Sequence, residues 1–353
     1  MWATHGADFV RGGFHERLDG TQPLDEPRRA RVQPRQAAAF ARAREMGWGG
    51  DSAQLVCHGL DYLLARYRRD DGLFCTLIEP GGTPIDERAL LYDQAFTLFG
   101  LAESHRVVES PTRYWQEALR LRSLIRQLLK GESAGFETGL PFGMARSSNA
   151  HMHLLEACLA WQEANADATW QSIADEIVEL ALSRFIDRNL GIVRENFLPN
   201  WTPFPGVRGQ IIEPGHHFEW AWLLMRWAGE GHPEVRQTAL RLIDVGERYG
   251  VHHGVAVNAL LDDLSVHDTS ARLWPQTERL KAAVRAAVVT GDSRYWEIAS
   301  SASRALLRYL KVRPAGLWHD TLMPDGRFIE EPAPASSFYH LVVAIAELND
   351  ATR

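Results

Sequence analysis

The segment with the most residues capable of acid–base chemistry runs from Pro214 to Glu219. Pro214 and Gly215 interrupt the chain and the next residues open a helix, so His216 and Glu219 lie one turn apart on one face. A carboxylate at this spacing can hold an imidazole in one tautomer and orientation, which is the usual support for a catalytic base. The residues are equally compatible with a polar helix start that contains a capped histidine. A metal site is a third interpretation, but this pair supplies two ligands and no HExxH motif or cysteine pair completes it.

Two other histidines and one arginine are further candidates. His153 shares a predicted helix face with Asn149, and Glu156 lies one turn beyond it. An isolated histidine on an apolar helix is more often a hydrogen-bonded core residue than a functional one. His340 lies close to the N-terminus of the last predicted helix, where the helix dipole lowers the pKa of an imidazole and favours the neutral base. Arg35 lies on an Ala-rich helix face, where a lone arginine is usually a surface residue.

A repeat along the chain indicates which elements position these side chains. A glycine followed by a short apolar or aromatic run occurs every 56 to 63 residues, at Gly13, Gly72, Gly135, Gly191, Gly254 and Gly316. A supersecondary unit that recurs at a fixed period cannot bury its apolar face alone, so the copies must stack or close. Six helix pairs predict an all-α fold, the (α/α)6 barrel, with short β-hairpins in the connecting loops.

Apolar residues at three- and four-residue steps predict eleven helices. They cover residues 34–46, 52–69, 86–105, 111–130, 149–164, 168–186, 214–229, 233–249, 275–290, 293–311 and 336–349. Six pairs need twelve, so either residues 1–10 form a helical stub or the start of the chain is truncated. The connections 13–23 and 316–324 are predicted to form small β-hairpins.

Length and composition exclude several classes of protein. A repeat that runs through all 353 residues favours a single domain, residues 1–353. A formal net charge of −7 without a Lys/Arg cluster argues against a nucleic-acid partner. The three cysteines, with no CxxC motif, favour a reducing compartment. No apolar stretch approaches the ~20 residues that span a bilayer, and the first residues lack a signal-peptide pattern, so we expect no membrane partner and a cytoplasmic location.

Seven segments, taken together and in order, resemble the N-acylglucosamine 2-epimerase superfamily over nearly the whole chain. They are residues 12–16 (GGFHE), 35–36 with Phe40, 92–96 (YDQAF), 149–156, 213–216 with 219–220, 273–278 (LWPQTE) and 338–340 (FYH). No one segment is decisive, but all seven occur in the family's order along a helix-pair repeat. Most of the first helix of the family is absent from this sequence.

The resemblance implies an enzyme that interconverts sugars by proton transfer at C2, as acylglucosamine and cellobiose 2-epimerases, mannose isomerases and sulfoquinovose isomerases do. It implies catalytic positions at Arg35, His153, His216, Glu219 and His340. It also implies sugar contacts at Tyr92, Asn149, Trp274 and Trp318. Two histidines and an arginine meet the needs of this chemistry without a metal or cofactor. The expected partner is a small monosaccharide, and a homodimer is a compatible oligomeric state.

The reaction needs a neutral base beside C2 and fixed donors or positive charge for the enediolate. We assign His340 as the base and Arg35 as the clamp on the enediolate oxygens. His216, oriented by Glu219, is expected to open the sugar ring and to return or relay a proton. His153 is expected to hydrogen-bond sugar oxygens or to assist ring opening.

Isomerisation of mannose to fructose is the favoured reaction, and 2-epimerisation is the alternative. The short loop Asn196–Trp201 favours a closed monosaccharide pocket, and Arg208 is the one candidate for a phosphate or sulfonate contact. A glycoside hydrolase, which needs two carboxylates, is less favoured because the concentrated residues are histidines. A non-catalytic binding protein is less favoured because it would not need three histidines at the family's positions.

Overall fold

A computed structural model describes residues 1–109, 111–131, 134–165 and 167–353. These residues are mostly helical, with the α-helices α1 (Val32–Glu45), α2 (Ser52–Arg66), α3 (Leu91–Glu103), α4 (Thr112–Leu128), α5 (Ser148–Ala164), α6 (Ala168–Leu180), α7 (Val207–Gln210), α8 (Pro214–Ala228), α9 (Pro233–Gly250), α10 (Leu273–Thr290), α11 (Ser293–Tyr309) and α12 (Ser336–Ala351). Single turns of other helix types occur at Trp2–Gly6 and Ala181–Phe185 (π) and at Ser104–Arg106 (3-10). Among the described residues, no helix is both long enough and apolar enough to cross a membrane.

Each of the eleven predicted helices is present, although α3 begins at Leu91 rather than at residue 86 and α6 ends at Leu180 rather than at residue 186. Local features of the sequence stabilise their ends. The Asp51 carboxylate accepts a hydrogen bond from the Gln54 amide at 2.9 Å and caps α2. Pro34 lies in the first turn of α1, where its missing N–H leaves no intrahelical bond unmade. The one-turn helix α7 was not predicted, because four residues are too few to show a helical period. Within the segment considered as a helical stub, Trp2–Gly6 form a single turn.

The strands are two or three residues long and belong to the connections between helices. They are β1 (Arg17–Asp19), β2 (Gln22–Pro23), β3 (Arg28–Arg29), β4 (Leu77–Ile78), β5 (Pro84–Asp86), β6 (Ala89–Leu90), β7 (Gly139–Leu140), β8 (Arg146–Ser147), β9 (Ile186–Asp187), β10 (Ile192–Val193), β11 (Asn196–Phe197), β12 (Ile211–Ile212), β13 (Val251–His252), β14 (Val255–Ala256), β15 (Ala259–Leu261), β16 (Val266–Asp268), β17 (Ala271–Arg272), β18 (Thr321–Leu322) and β19 (Ala333–Pro334). They pair antiparallel in the orders β19-β1-β2, β3-β4-β5, β6-β7, β8-β11, β9-β10, β12-β15-β16, β13-β14 and β17-β18.

One of the two hairpins predicted from sequence is confirmed, and the other is displaced along the chain, since an antiparallel bridge joins Leu322 to Phe328 beyond the predicted range. In the first connection β1 pairs with β2, with Leu18 opposite Pro23. In the connection 316–324, β18 pairs instead with β17, so that Ala271 lies opposite Leu322. A strand of two residues is too short for its partner to be read from sequence, because register is set by alternation over several residues.

The glycine repeat corresponds to one recurring hydrogen-bond arrangement. All six motif glycines have positive φ, between 70° and 93°, which other residues rarely adopt. In five repeats a nearby backbone amide donates to a buried side chain at the start of the following helix. The pairs are Phe14 with Gln33 (2.7 Å), Phe74 with Gln94 (2.9 Å), Phe136 with His151 (2.9 Å), Val193 with His217 (3.3 Å) and Ala256 with Gln276 (2.8 Å). His151 and His217 therefore satisfy backbone groups, as glutamine does in the other three repeats.

The described chain divides into two compact units. The first comprises Met1–Met144, Ala150–Ile177 and Pro332–Val342, and the second comprises Ala145–Asn149, Val178–Glu331 and Val343–Arg353. In the first unit, α1 packs against α2 and α3, and α3 packs against α4. In the second unit, α8 packs against α9 and α10, and α10 packs against α11. The single domain expected from sequence stays a prediction.

Candidate active site

In the first unit, three predicted site residues are in contact: Arg35 on α1, Tyr92 on α3 and His153 on α5. The Arg35 guanidinium is buried, and its Nη2 donates a hydrogen bond to the Tyr92 hydroxyl at 2.6 Å. Its Cζ lies 3.8 Å from the centre of the Phe96 ring, within cation–π distance. The Tyr92 and His153 rings meet edge to face at 4.9 Å. Arg35 is therefore not the surface residue that its Ala-rich face indicated, since aromatic rings and a hydroxyl enclose it.

His153 is held in a neutral state by its surroundings. Its Nδ1 lies 3.1 Å from Glu156 Oε2, and Glu156 Oε1 accepts a hydrogen bond from the Tyr339 hydroxyl. Burial lowers the pKa of His153 to about 4; Glu156 opposes this effect, and the positive charge of Arg35 adds to it. With the Nδ1 proton directed at the carboxylate, Nε2 is the acceptor nitrogen of the ring.

His340 is buried on α12, within the first two turns of that helix. Its ring lies 4.8 Å from that of Tyr339, the residue that hydrogen-bonds Glu156. Its electrostatic interaction with His153 contributes to the lowered pKa of that residue. The first unit thus holds one arginine and two of the predicted catalytic histidines within one buried, aromatic-lined group.

In the second unit, His216 lies in the first turn of α8 and is held in the opposite charge state. Its Nδ1 is 2.9 Å from Glu195 Oε2. Burial by itself lowers the pKa of His216, but the carboxylates of Glu195, Glu213 and Glu219 outweigh it and raise the pKa to about 10. His216 therefore carries a proton at neutral pH and can act as an acid.

Glu195 is the functional candidate to which sequence reasoning assigned no role. We expected Glu219 to orient His216, whereas the carboxylate at ion-pair distance from Nδ1 belongs to Glu195. Glu195 comes from the connection between β10 and β11, so no helical spacing could reveal it. Glu219 is buried on α8 and contributes to the raised pKa of His216 through its charge.

The predicted sugar contacts of the second unit have different surroundings. The Trp274 ring lies 5.0 Å from the His216 ring. A Cβ atom at Gly215 would come within 2.5 Å of the Trp274 ring, so this close approach requires glycine. Asn149 Oδ1 is buried and has no hydrogen-bond partner among the described residues. Trp318 is also buried.

In each unit, one pair of side chains could offer ligands to a cation. His153 and Glu156 supply two atoms in the first unit. Glu219 and Glu278 supply carboxylate oxygens within 4.8 Å of each other in the second. The absence of a metal requirement stays a prediction.

Solved structures of sugar-converting enzymes share the fold of this chain. A D-mannose isomerase matches with a TM-score of 0.89 at 20% identity, over 99% of this chain and 94% of that one. A cellobiose 2-epimerase from Bacillus thermoamylovorans B4167 matches with a TM-score of 0.89 at 18% identity, over 99% of this chain and 95% of that one. These likenesses confirm the predicted (α/α)6 barrel with short hairpins, the fold of a class of sugar isomerases and epimerases.

Residues 12–344 match the family model of N-acylglucosamine 2-epimerase (GlcNAc 2-epimerase), and the chain belongs to this family. It is 45% identical over 362 residues to a mannose-6-phosphate isomerase of Rhizobium meliloti (strain 1021), a match covering 99% of this chain and 93% of that protein. It is 27% identical over 364 residues to a D-mannose isomerase of Thermobifida fusca, covering 90% and 83%. The chain is therefore an enzyme, an aldose–ketose isomerase or a 2-epimerase of this family.

Proposed function

We propose that the protein is an aldose–ketose isomerase that converts free mannose to fructose through an enediolate. The observation that carries the proposal is the environment of Arg35. Its guanidinium is buried, its Nη2 donates to the Tyr92 hydroxyl, and its Nε has no partner among the described residues. Its charge also acts on the buried Asp93, where burial is the largest effect and raises the pKa of that carboxyl. A buried cation and an unsatisfied donor are costly unless an anion arrives to meet them. An enediolate oxygen is such an anion, and its stabilisation is often the largest single contribution to catalysis.

The charge states of the histidines support distinct roles. His216, protonated, donates its proton to the ring oxygen as the C1–O5 bond breaks, and it takes up the proton that O1 loses as the C1=O1 bond forms. His153, neutral, accepts a hydrogen bond from a sugar hydroxyl through Nε2. His340 then removes the C2 proton, and the electron pair of that C–H bond forms the C1=C2 double bond while O1 becomes negative beside Arg35. Return of the proton from His340 to C1 and transfer of the O2 proton to O1, as the C2=O2 bond forms, complete the ketose. Two groups whose surroundings drive their pKa values apart are the usual sign of divided acid and base roles.

Mannose 6-phosphate is a second candidate substrate, supported by the 45% identical relative that carries this sugar in its name. In this chain, Arg208 is the candidate phosphate contact. Its side chain is exposed, its Nε lies 3.3 Å from Asn196 Oδ1, and Asn196 Nδ2 donates to the Arg208 carbonyl at 3.4 Å. Asn196 directly follows Glu195, the partner of His216. Arg208 is thus hydrogen-bonded to the residue that follows Glu195 in the chain.

Incubation of the enzyme with mannose, glucose, N-acetylglucosamine, cellobiose and mannose 6-phosphate in D2O, followed by NMR, tests the proposal. We expect fructose to be the first product from mannose, with hydrogen partly retained at C1. Glucose formed before fructose, with full deuterium at C2, would instead establish a 2-epimerase. An Arg208→Gln variant that loses turnover of mannose 6-phosphate but not of mannose would establish the phosphorylated substrate. No turnover of any of these sugars would refute the proposed function.

A further inference from the structure

The second unit contains a lysine in its interior, and its surroundings are unusual. Lys281 on α10 is fully buried, and its Nζ lies 2.6 Å from Oε2 of Glu278, which is also fully buried one turn earlier. The same Nζ lies 3.9 Å from the centre of the Trp222 ring on α8. The ammonium group thus lies against a carboxylate and an aromatic face.

Glu278 is one of two buried carboxylates that lie close together. Its oxygens and those of Glu219 on α8 approach within 4.8 Å. Two buried carboxylates at this distance resist double ionisation, and without a compensating cation one of them takes up a proton. Glu219 lies one helical turn after His216 on α8, and its negative charge adds to the effects of Glu195 and Glu213 that favour the imidazolium.

Three carboxylates of the second unit each lie at ion-pair distance from a different cation. Glu195 lies 2.9 Å from His216, Glu213 lies 3.4 Å from Arg272, and Glu278 lies 2.6 Å from Lys281. Removing the cation from Glu278 would leave two neighbouring carboxylates to compete for a proton.

Stability alone does not explain a lysine at this position. Burying an ammonium group is costly, and a well-packed apolar side chain in place of a buried ion pair is often neutral or stabilising. The aromatic face of Trp222 recovers only part of the cost of desolvation. The location of Lys281, beside the carboxylate that neighbours Glu219, points to control of charge.

We propose that Lys281 is a positioning residue, whose ammonium group keeps Glu278 and Glu219 ionised together so that Glu219 remains a carboxylate beside His216. The catalytic consequence rests on the proposed function, whereas the coupling of Lys281 to Glu278 does not. Lys281 is not expected to touch the sugar, so its loss should lower kcat with little change in KM.

The test compares Lys281→Met, which keeps the length of the side chain and removes its charge, with Lys281→Arg, which keeps the charge. Arg279→Met is the matched control, because Arg279 is a buried cation on the same helix that pairs with Glu247 at 2.5 Å, away from Glu278. We expect Lys281→Met to lower kcat at least about tenfold, equivalent to about 1.4 kcal/mol in the barrier. We expect Lys281→Arg to recover most of this loss. Arg279→Met is expected to lower Tm and to keep kcat within about twofold of wild type.

A thermal-unfolding cycle tests the pair without any sugar. Glu278→Gln in the Lys281→Met background should recover Tm, because neither charge is then left buried alone. Additive effects of the two changes on Tm would refute the coupling even if the enzyme isomerises mannose. Two results would show that Lys281 is only structural. One is a Lys281→Met variant that keeps the kcat of the wild type, and the other is an Arg279→Met variant whose kcat falls as far as that of Lys281→Met. If the wild type converts no sugar, the proposed function fails, and the Tm cycle still decides whether Lys281 and Glu278 are coupled.

Discussion

Replacing Glu195 by glutamine should convert His216 from a permanent imidazolium into a group that titrates nearer to neutral pH. The change keeps the shape of the side chain and removes the charge 2.9 Å from Nδ1. A pKa of about 10 against an ordinary value of 6.5 corresponds to about 5 kcal/mol in favour of the protonated ring. Three carboxylates supply this energy against the opposing effect of burial, and Glu195 contributes most. Even an equal division assigns Glu195 about a third of this energy, so the pKa of His216 should fall by at least about 1.

Two measurements check this shift. Because His216 is proposed to act as an acid, the fall of kcat/KM at high pH should begin near pH 10 in the wild type and at least about one pH unit lower in Glu195→Gln. NMR titration of the His216 ring protons measures the same pKa directly. The raised pKa also stabilises the folded state fully below pH 6.5 and progressively less as the pH rises towards 10, because the folded state binds the proton more tightly. The variant should therefore lose more stability at pH 6 than at pH 10. If the ring of His216 still titrates near pH 10 in the variant, the ion pair with Glu195 is not the cause of the raised pKa of His216.

Three further outcomes are expected. His340→Ala should lower kcat at least ~10²-fold, the scale for losing an acid–base group, and near-normal turnover would reject His340 as the base. Exhaustive EDTA treatment should leave activity intact, and a loss that added divalent cations restore would contradict a mechanism based on histidine and arginine. His217→Gln should keep Tm and remove part of the stability loss between pH 6.5 and 4, because burial lowers the pKa of His217 to about 4 while the unfolded residue protonates near 6.5. His217→Ala, by contrast, should lower the free energy of unfolding by about 1–3 kcal/mol, because the Val193 amide is left without its acceptor. Equal free energies of unfolding for the two variants would refute the role of His217 as that acceptor.

The helices could be predicted from sequence because each carries its own periodic pattern, which packing then preserves. The positive-φ glycines likewise leave a local signal that needs no tertiary information. The pairing of β18 with β17 could not be predicted, since it joins segments that lie about fifty residues apart through two residue pairs. Helix α7 was missed for a similar reason, because a single turn has no period.

The sequence indicated which types of residue form the candidate site, but it did not indicate the protonation states of the histidines. The spacing of His216 and Glu219 pointed to an imidazole supported by a carboxylate, and such support is present, although Glu195 is the carboxylate at Nδ1. The protonated state of His216 depends on several carboxylates brought together from α8 and from the β10–β11 connection. The neutral state of His153 depends on burial beside Arg35. Both depend on distances that only the folded chain defines.

The repeat nevertheless contains a signal that separates structural from chemical histidines. Gln33, Gln94 and Gln276 each accept a hydrogen bond from a backbone amide of the motif connection, and His151 and His217 do the same in their own repeats. A histidine at that repeat position is therefore expected to be structural. Successive residues on a helix point about 100° apart, so His216, one residue before His217, faces a different neighbour and pairs with Glu195. His153, two residues after His151, likewise turns to Glu156. Gln94, His151, His217 and Gln276 are each the fourth residue of their helix, whereas their distances from the motif glycines differ. Aligning the repeats by these helix starts assigns His151 and His217 to backbone support and leaves His153 and His216 as the candidates for chemistry.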